Sequence, residues 1–157
     1  MSDVLVRSRG SAVVTVSSPI MPGNRVPSRL SDVPVAAAPV RKLLHAADAA
    51  LTPGSPASDI HQLTAAATAA VRAGRGHVLD SSHVIFPNGA VTLVLILAES
   101  HLAIHTWPEE NLIAVDLFSC GAIDADRVMS DLVRLLRLTD VRMQRLDRAA
   151  GRDAGHG

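Results

Sequence analysis

Tyrosine is missing from this chain, and aromatic side chains come down to Phe86, Trp107 and Phe118. A core with so few rings must be filled by aliphatics, and 48% of the 157 residues are hydrophobic. Cysteine occurs once, at Cys120, which excludes an internal disulfide and fits a reducing compartment. Charge of one sign is lacking too: 15 Lys and Arg balance 15 Asp and Glu. Nucleic-acid binding favours a basic face, so no nucleic-acid partner is expected. No apolar run approaches the roughly 18 residues of a membrane-spanning helix. The longest, Ala90 to Ala98, is interrupted at Thr92. The apolar piece Ala12 to Val16 is too short and too polar for a secretion signal. The expectation is a cytoplasmic protein with no membrane partner.

What is present is unevenly placed. Pro19, Pro22, Pro27, Pro34 and Pro39 recur through the first 40 residues among Ser, Arg and Gly. Proline at that density breaks helices and sheet ladders, so residues 1–40 are predicted to be a disordered leader. Short β-prone pieces there, such as Val13 to Val16, have the character of an edge strand.

From Arg41 the pattern is that of a folded domain, residues 41–149. Arg41 to Ala50 suits a strand or a short helix. Ser58 or Asp59 can cap a helix carrying Ile60, Leu63, Ala67 and Val71, ended by Gly74 and Gly76. His77 to Phe86, Val91 to Ala98, Leu102 to Trp107 and Leu112 to Phe118 read as strands. Pro87-Asn88-Gly89 is a tight turn between the first two. Asp124 or Asp126 opens a second helix with the apolar stripe Val128, Met129, Leu132, Leu135 and Leu136. Val141 to Leu146 is a last strand, and residues 150–157 fray. The predicted fold is α+β, a two-layer sandwich with an antiparallel sheet and two helices on one face. The other face of the sheet also needs cover, which predicts a homodimer.

The reactive groups concentrate in Glu99-Ser100-His101 through Glu109, and then in Asp116 through Gly121. A serine in a strained turn lies close to its own preceding carbonyl. Ser100 Oγ could attack the Glu99 carbonyl and turn an amide into an ester, with His105 as a base. Residues an odd number apart point to opposite faces of a straight strand, so pairing Ser100 with His105 requires a bend. Simpler readings stand beside this one. Ser100 can be an ordinary turn residue, His105 a satisfied core histidine and Cys120 a small buried hydrophobe. Zinc on His101, His105 and Cys120 lacks a fourth ligand, so no metal is expected. A hydrolase using Asp116 or Glu109 as third member lacks a nucleophile elbow.

The runs Glu99-Ser100-His101, Ile104-His105-Thr106-Trp107-Pro108-Glu109 and Ala114-Val115-Asp116-Leu117-Phe118-Ser119-Cys120-Gly121 resemble the prokaryotic S-adenosylmethionine decarboxylase proenzymes. The resemblance is close over residues 77–121 and holds in layout over 41–147. It favours a strand at 41–50. It implies self-cleavage between Glu99 and Ser100, giving a β chain 1–99 and an α chain 100–157. Ser100 would become a pyruvoyl group that forms a Schiff base with the substrate. His105 would be the processing base, taking the Ser100 α-proton, and Cys120 the proton donor to the substrate carbon. No ordinary side chain is an electron sink for decarboxylation, which is why such a cofactor is needed. The resemblance further implies a polyamine-biosynthesis enzyme, a homodimer of cleaved protomers, acting on a small amino-acid-type substrate.

One stretch departs from the family pattern. Gly89 lies one residue further from Ser100 than the family's turn glycine, so this segment carries an extra residue or a bulge. Thr92 stands where the family has a small hydroxyl residue. Phe86, Thr92, Trp107 and Glu109 are the candidate substrate-binding residues. The altered turn leaves L-ornithine or L-arginine as alternative substrates, with Glu109, Glu110 and Asp80 as acidic candidates for a distal cation. A further alternative is an uncleaved, non-catalytic regulatory homologue.

Overall fold

A computed structural model describes residues 4–7, 13–17 and 41–148. Strand β1 (Val4–Arg7), β2 (Val13–Ser17) and β3 (Lys42–Ala50) precede helix α1 (Ile60–Ala73). Four strands follow: β4 (Val78–Ile85), β5 (Val91–Leu97), β6 (Ser100–Trp107) and β7 (Leu112–Cys120). Helix α2 (Ala125–Leu135) and β8 (Thr139–Arg148) complete the order. Among the described residues the strands form one antiparallel sheet, in the order β1-β2-β4-β5-β6-β7-β3-β8.

The expected α+β sandwich is present, and its layers follow from strand alternation. Leu93, Leu95, Leu102, Ile104, Ile113 and Leu117 are fully buried on one face of the sheet. Leu63, Ala67, Ala70 and Val71 of α1 and Val128, Met129 and Leu132 of α2 cover that face. Each helix begins on an aspartate. Asp59 accepts the Gln62 N–H at 2.9 Å, and Asp124 accepts the Arg127 N–H at 3.0 Å. These caps satisfy amide donors that the first turn leaves free. The end of α1 meets the start of α2 at Gly74, where a Cβ would lie 2.4 Å from Val128 Cγ2.

Within the first 40 residues, Val13–Ser17 pairs with β4 and Val4–Arg7 with Val13–Ser17. The rest of residues 1–40, and the tail 149–157, lie outside the described residues. Lys42–Ala50 is a strand, paired with both β7 and β8. Strand β6 starts at Ser100, not Leu102, and its ladder to β7 runs without a shift from Ser100 opposite Ser119 to Trp107 opposite Leu112. The bend needed to bring Ser100 to His105 is therefore absent from β6.

Among the described residues no helix covers the second face of the sheet. In the row across β6, β7 and β3, Ala103 and Ala46 flank Asp116, and in the next row Ala114 lies between His105 and Asp48. Larger apolar groups lie around them: Phe118 is half-buried, while Ile96 is 46% and Leu146 54% exposed.

Candidate active site

Two groups of side chains occupy opposite ends of β6. The first gathers at the β5–β6 reversal. Leu97 pairs with Ser100, so Ala98 and Glu99 alone make the turn. The Glu99 carbonyl accepts the Cys120 backbone N–H at 2.9 Å and the Cys120 thiol at 3.1 Å. Register explains the meeting: Ser100 lies opposite Ser119, which brings Cys120 beside Glu99. Ser100 has φ of +139°, a region that favours glycine and costs other residues roughly 1–3 kcal/mol. Such strain marks sites where the surroundings hold the chain in place. Ser100 Oγ lies 3.2 Å from Nδ1 of His101, whose ring packs against Phe118 at 5.8 Å between centroids.

The Glu99 side chain is anchored as well. Oε2 accepts the His77 backbone N–H at 3.0 Å, and Oε1 lies 2.6 Å from His77 Nδ1.

The second group lies toward the other end of β6. His105 Nδ1 is 3.0 Å from Thr92 Oγ1, its cross-strand partner on β5. Its ring packs against Trp107, with centroids 6.0 Å apart. A cleft of about 490 Å3 opens here, lined by Phe86, Thr92, His105, Trp107 and Glu109 among others. Glu109 accepts from the Asn88 amide at 3.1 Å, which ties the β4–β5 turn to the end of β6. Gly89 at φ +82° makes that turn, with its N–H on the Phe86 carbonyl. Thr92 pairs with His105 in an unshifted ladder, so β5 from Val91 to Leu97 carries no bulge against β6; the β4–β5 register shift lies at the other end of the hairpin, between Val78 and Asp80.

Site residues expected from sequence thus fall into two sets. Glu99, Ser100 and Cys120 come together, and so do Phe86, Thr92, His105, Trp107 and Glu109. Ser100 and His105 do not meet within the chain. Five residue steps separate them, about 16 Å along β6. Sequence reasoning missed His77 at the first group and weighed His101 only as a motif residue and a zinc ligand. Only the register of β4 on β5 reveals the His77 contact, 22 residues from Glu99. Among the described residues, no three His, Cys, Asp or Glu side chains gather as metal ligands. No described helix is long and apolar enough to cross a membrane.

The sequence profile of the family described as S-adenosylmethionine decarboxylase matches residues 44–149, spanning both groups. The chain belongs to the S-adenosylmethionine decarboxylase family. S-adenosylmethionine decarboxylase proenzyme 2 of Bacillus anthracis is 38% identical over 76 residues, 48% of this chain and 62% of that protein. Its Bacillus cereus namesake is 35% identical over 94 residues, 59% of this chain and 76% of that protein. The matched segment therefore spans about three fifths to three quarters of these relatives' length. The crystal structure of the adenosylmethionine decarboxylase from Aquifex aeolicus superposes with a TM-score of 0.61 at 28% identity, covering 71% of this chain and 92% of that one.

Proposed function

We propose that the chain is a proenzyme that cuts itself between Glu99 and Ser100 to become a pyruvoyl-dependent S-adenosylmethionine decarboxylase of polyamine biosynthesis, acting in the cytoplasm. The observation that carries this reading is the Glu99–Ser100 peptide itself. Its serine is held at positive φ, and its carbonyl oxygen receives two donors from Cys120. A hydroxyl adding to that carbonyl places negative charge on the oxygen, where the donors already stand. Ser100 Oγ bonds to the Glu99 carbonyl carbon, the peptide C–N bond breaks, and the hydroxyl proton ends on the freed nitrogen. His101 Nδ1, 3.2 Å away, is the neighbour that can carry it. Removal of the Ser100 α-proton then expels the Glu99 carboxylate. Water replaces nitrogen in the resulting dehydroalanine and releases ammonia. The pyruvoyl group so formed supplies the electron sink for loss of CO2.

His105 serves as the base for the α-proton in this scheme, but β6 carries it away from its own Ser100. A second copy resolves the distance. Ser100 and His105 lie at equal sequence distances from the Leu102–Ala103 midpoint of β6. A two-fold axis near that midpoint, relating the second faces of two sheets, sets the Ser100 end of one protomer over the His105 end of its partner. The small side chains Ala46 and Ala103, which flank Asp116 on this face, leave room for two sheets to approach. The homodimer is thus proposed to complete the site.

The cleft at the His105 end supports the adenosyl substrate over a simple amino acid. Phe86 and Trp107 offer ring faces, and stacking a base on such a ring contributes about 1–3 kcal/mol. Glu109 offers a counter-charge to the sulfonium. Cys120, beside the Ser100 end, is the proton donor to the product carbon. Denaturing mass spectrometry tests the reading. Fragments 1–99 and 100–157, the second pyruvoyl-blocked, are expected, together with CO2 release from S-adenosylmethionine exceeding that from ornithine or arginine. A chain that stays whole on long incubation sinks it.

A further inference from the structure

Glu99 is held from two sides. Its carbonyl meets Cys120, and both of its carboxylate oxygens meet a single residue, His77. The preceding residue joins in: the Ala98 N–H donates to the His77 carbonyl at 2.9 Å. His77 directly precedes β4, so the sheet supports it. The Glu99 side chain is only 13% exposed, although it belongs to a two-residue reversal.

We propose that His77 is a positioning residue for self-cleavage, fixing Glu99 so that its carbonyl stays aligned between Ser100 Oγ and the Cys120 donors. The inference rests on the self-processing reading above. The positive φ of Ser100 survives only if the chain is held on both sides of it. On the C-terminal side the pairing of β6 with β7 holds it. On the N-terminal side the chain turns at once, and the His77 contacts are what anchor the turn. Freed from the imidazole, the Glu99 side chain keeps a single arm, the His77 N–H, and its carbonyl can swing off the Cys120 donors. Misplacement of about 1 Å at a reacting group costs up to about 100-fold in rate. The imidazole itself is 70% exposed, and exposed pairs contribute little to stability. The effect therefore falls on the cutting rate and leaves the melting temperature in place.

The test follows the cut fraction of freshly made full-length chain over time by denaturing mass spectrometry. H77A should cut about tenfold more slowly, with an unchanged melting temperature. H77N, whose amide N–H can reach the same carboxylate, should cut within about threefold of wild type. E99A removes the other half of the contact, so H77A/E99A should be no slower than E99A, the signature of two groups acting as one. Wild-type cutting in H77A overturns the inference, as does a failure of H77N to restore the rate. Equal slowing by H77A with or without Glu99 overturns it too. A melting temperature that falls with the rate makes His77 a fold residue and has the same result. If the wild-type chain itself never cuts, the self-processing reading fails, and this inference with it. Cutting in wild type with no change in H77A sinks the inference alone.

Discussion

The Cys120 backbone N–H and thiol converge on one acceptor, the Glu99 carbonyl, at 2.9 and 3.1 Å. One residue can thus act twice, first as a donor to the scissile carbonyl and later as an acid toward substrate. Substitution separates the two duties. C120A keeps the N–H and loses the weaker S–H donor, so cutting should slow roughly 10- to 100-fold. C120S keeps a side-chain donor and should cut within a few-fold of wild type. Its decarboxylation should still fall, because a hydroxyl is a poor acid near neutral pH. Timed mass spectrometry followed by a CO2 assay reads both steps. If C120S cuts as slowly as C120A, the side-chain donor has no part in cleavage.

Separation of Ser100 from His105 along β6 gives the proposed dimer a sharp consequence. S100A and H105A chains should each remain uncut alone. Mixed in one cell, they form heterodimers in which the H105A chain's serine faces an intact His105 on the S100A chain. The H105A chain alone should then be cut, approaching half of its molecules if pairing is random. Mass-tagged chains make the products distinguishable. Cutting of neither chain in verified heterodimers would refute the shared site.

Gly74 governs the helix layer. A Cβ there would lie 2.4 Å from Val128 Cγ2 and 2.7 Å from the Asp124 carbonyl oxygen. Neither neighbour yields cheaply, since one is in the core and the other is backbone at the α2 cap. G74A should cost about 1–3 kcal/mol, the usual range for overpacking. Denaturant titration of uncut S100A protein, with and without the change, measures it apart from processing.

His45 is buried beneath α2, with Nε2 3.4 Å from Asp126 and no hydrogen-bond partner at Nδ1. Burial holds its pKa below the ordinary 6.5; Asp126 opposes that shift, and Arg145 reinforces it. The unfolded chain therefore takes up this proton first as pH falls, and stability should drop below about pH 6.5. Burial and His61 push His83 the same way. H45Q should accordingly flatten, without abolishing, the decline in melting temperature between about pH 7 and 5. An unchanged slope would show that His45 does not drive it.

Much of the molecule was legible before folding. Apolar alternation in 91–98 and 112–118 marked core strands, because period two fixes which face of a sheet each residue takes. Asp59 and Asp124 marked helix starts, because a short acceptor there serves free amides. The cluster from Glu99 to Cys120 named its own chemistry through residue types. Legibility ended at pairings across strands. Nothing local to His77 signals Glu99, and nothing local to Thr92 signals His105. The bend invoked to join Ser100 to His105 was a sequence argument that regular pairing of β6 overrode.

The sequence by itself determined the element order from Lys42 onward, the buried face and the reactive groups, since these depend on each residue's own chemistry and its nearest neighbours. Tertiary structure alone decided which groups meet. Antiparallel register set Cys120 on the Glu99 carbonyl and His77 on its carboxylate, and it set His105 at the far end of the strand. Backbone hydrogen bonds fix register over the whole length of a strand, so contacts between residues about 20 positions apart are collective and no short motif encodes them.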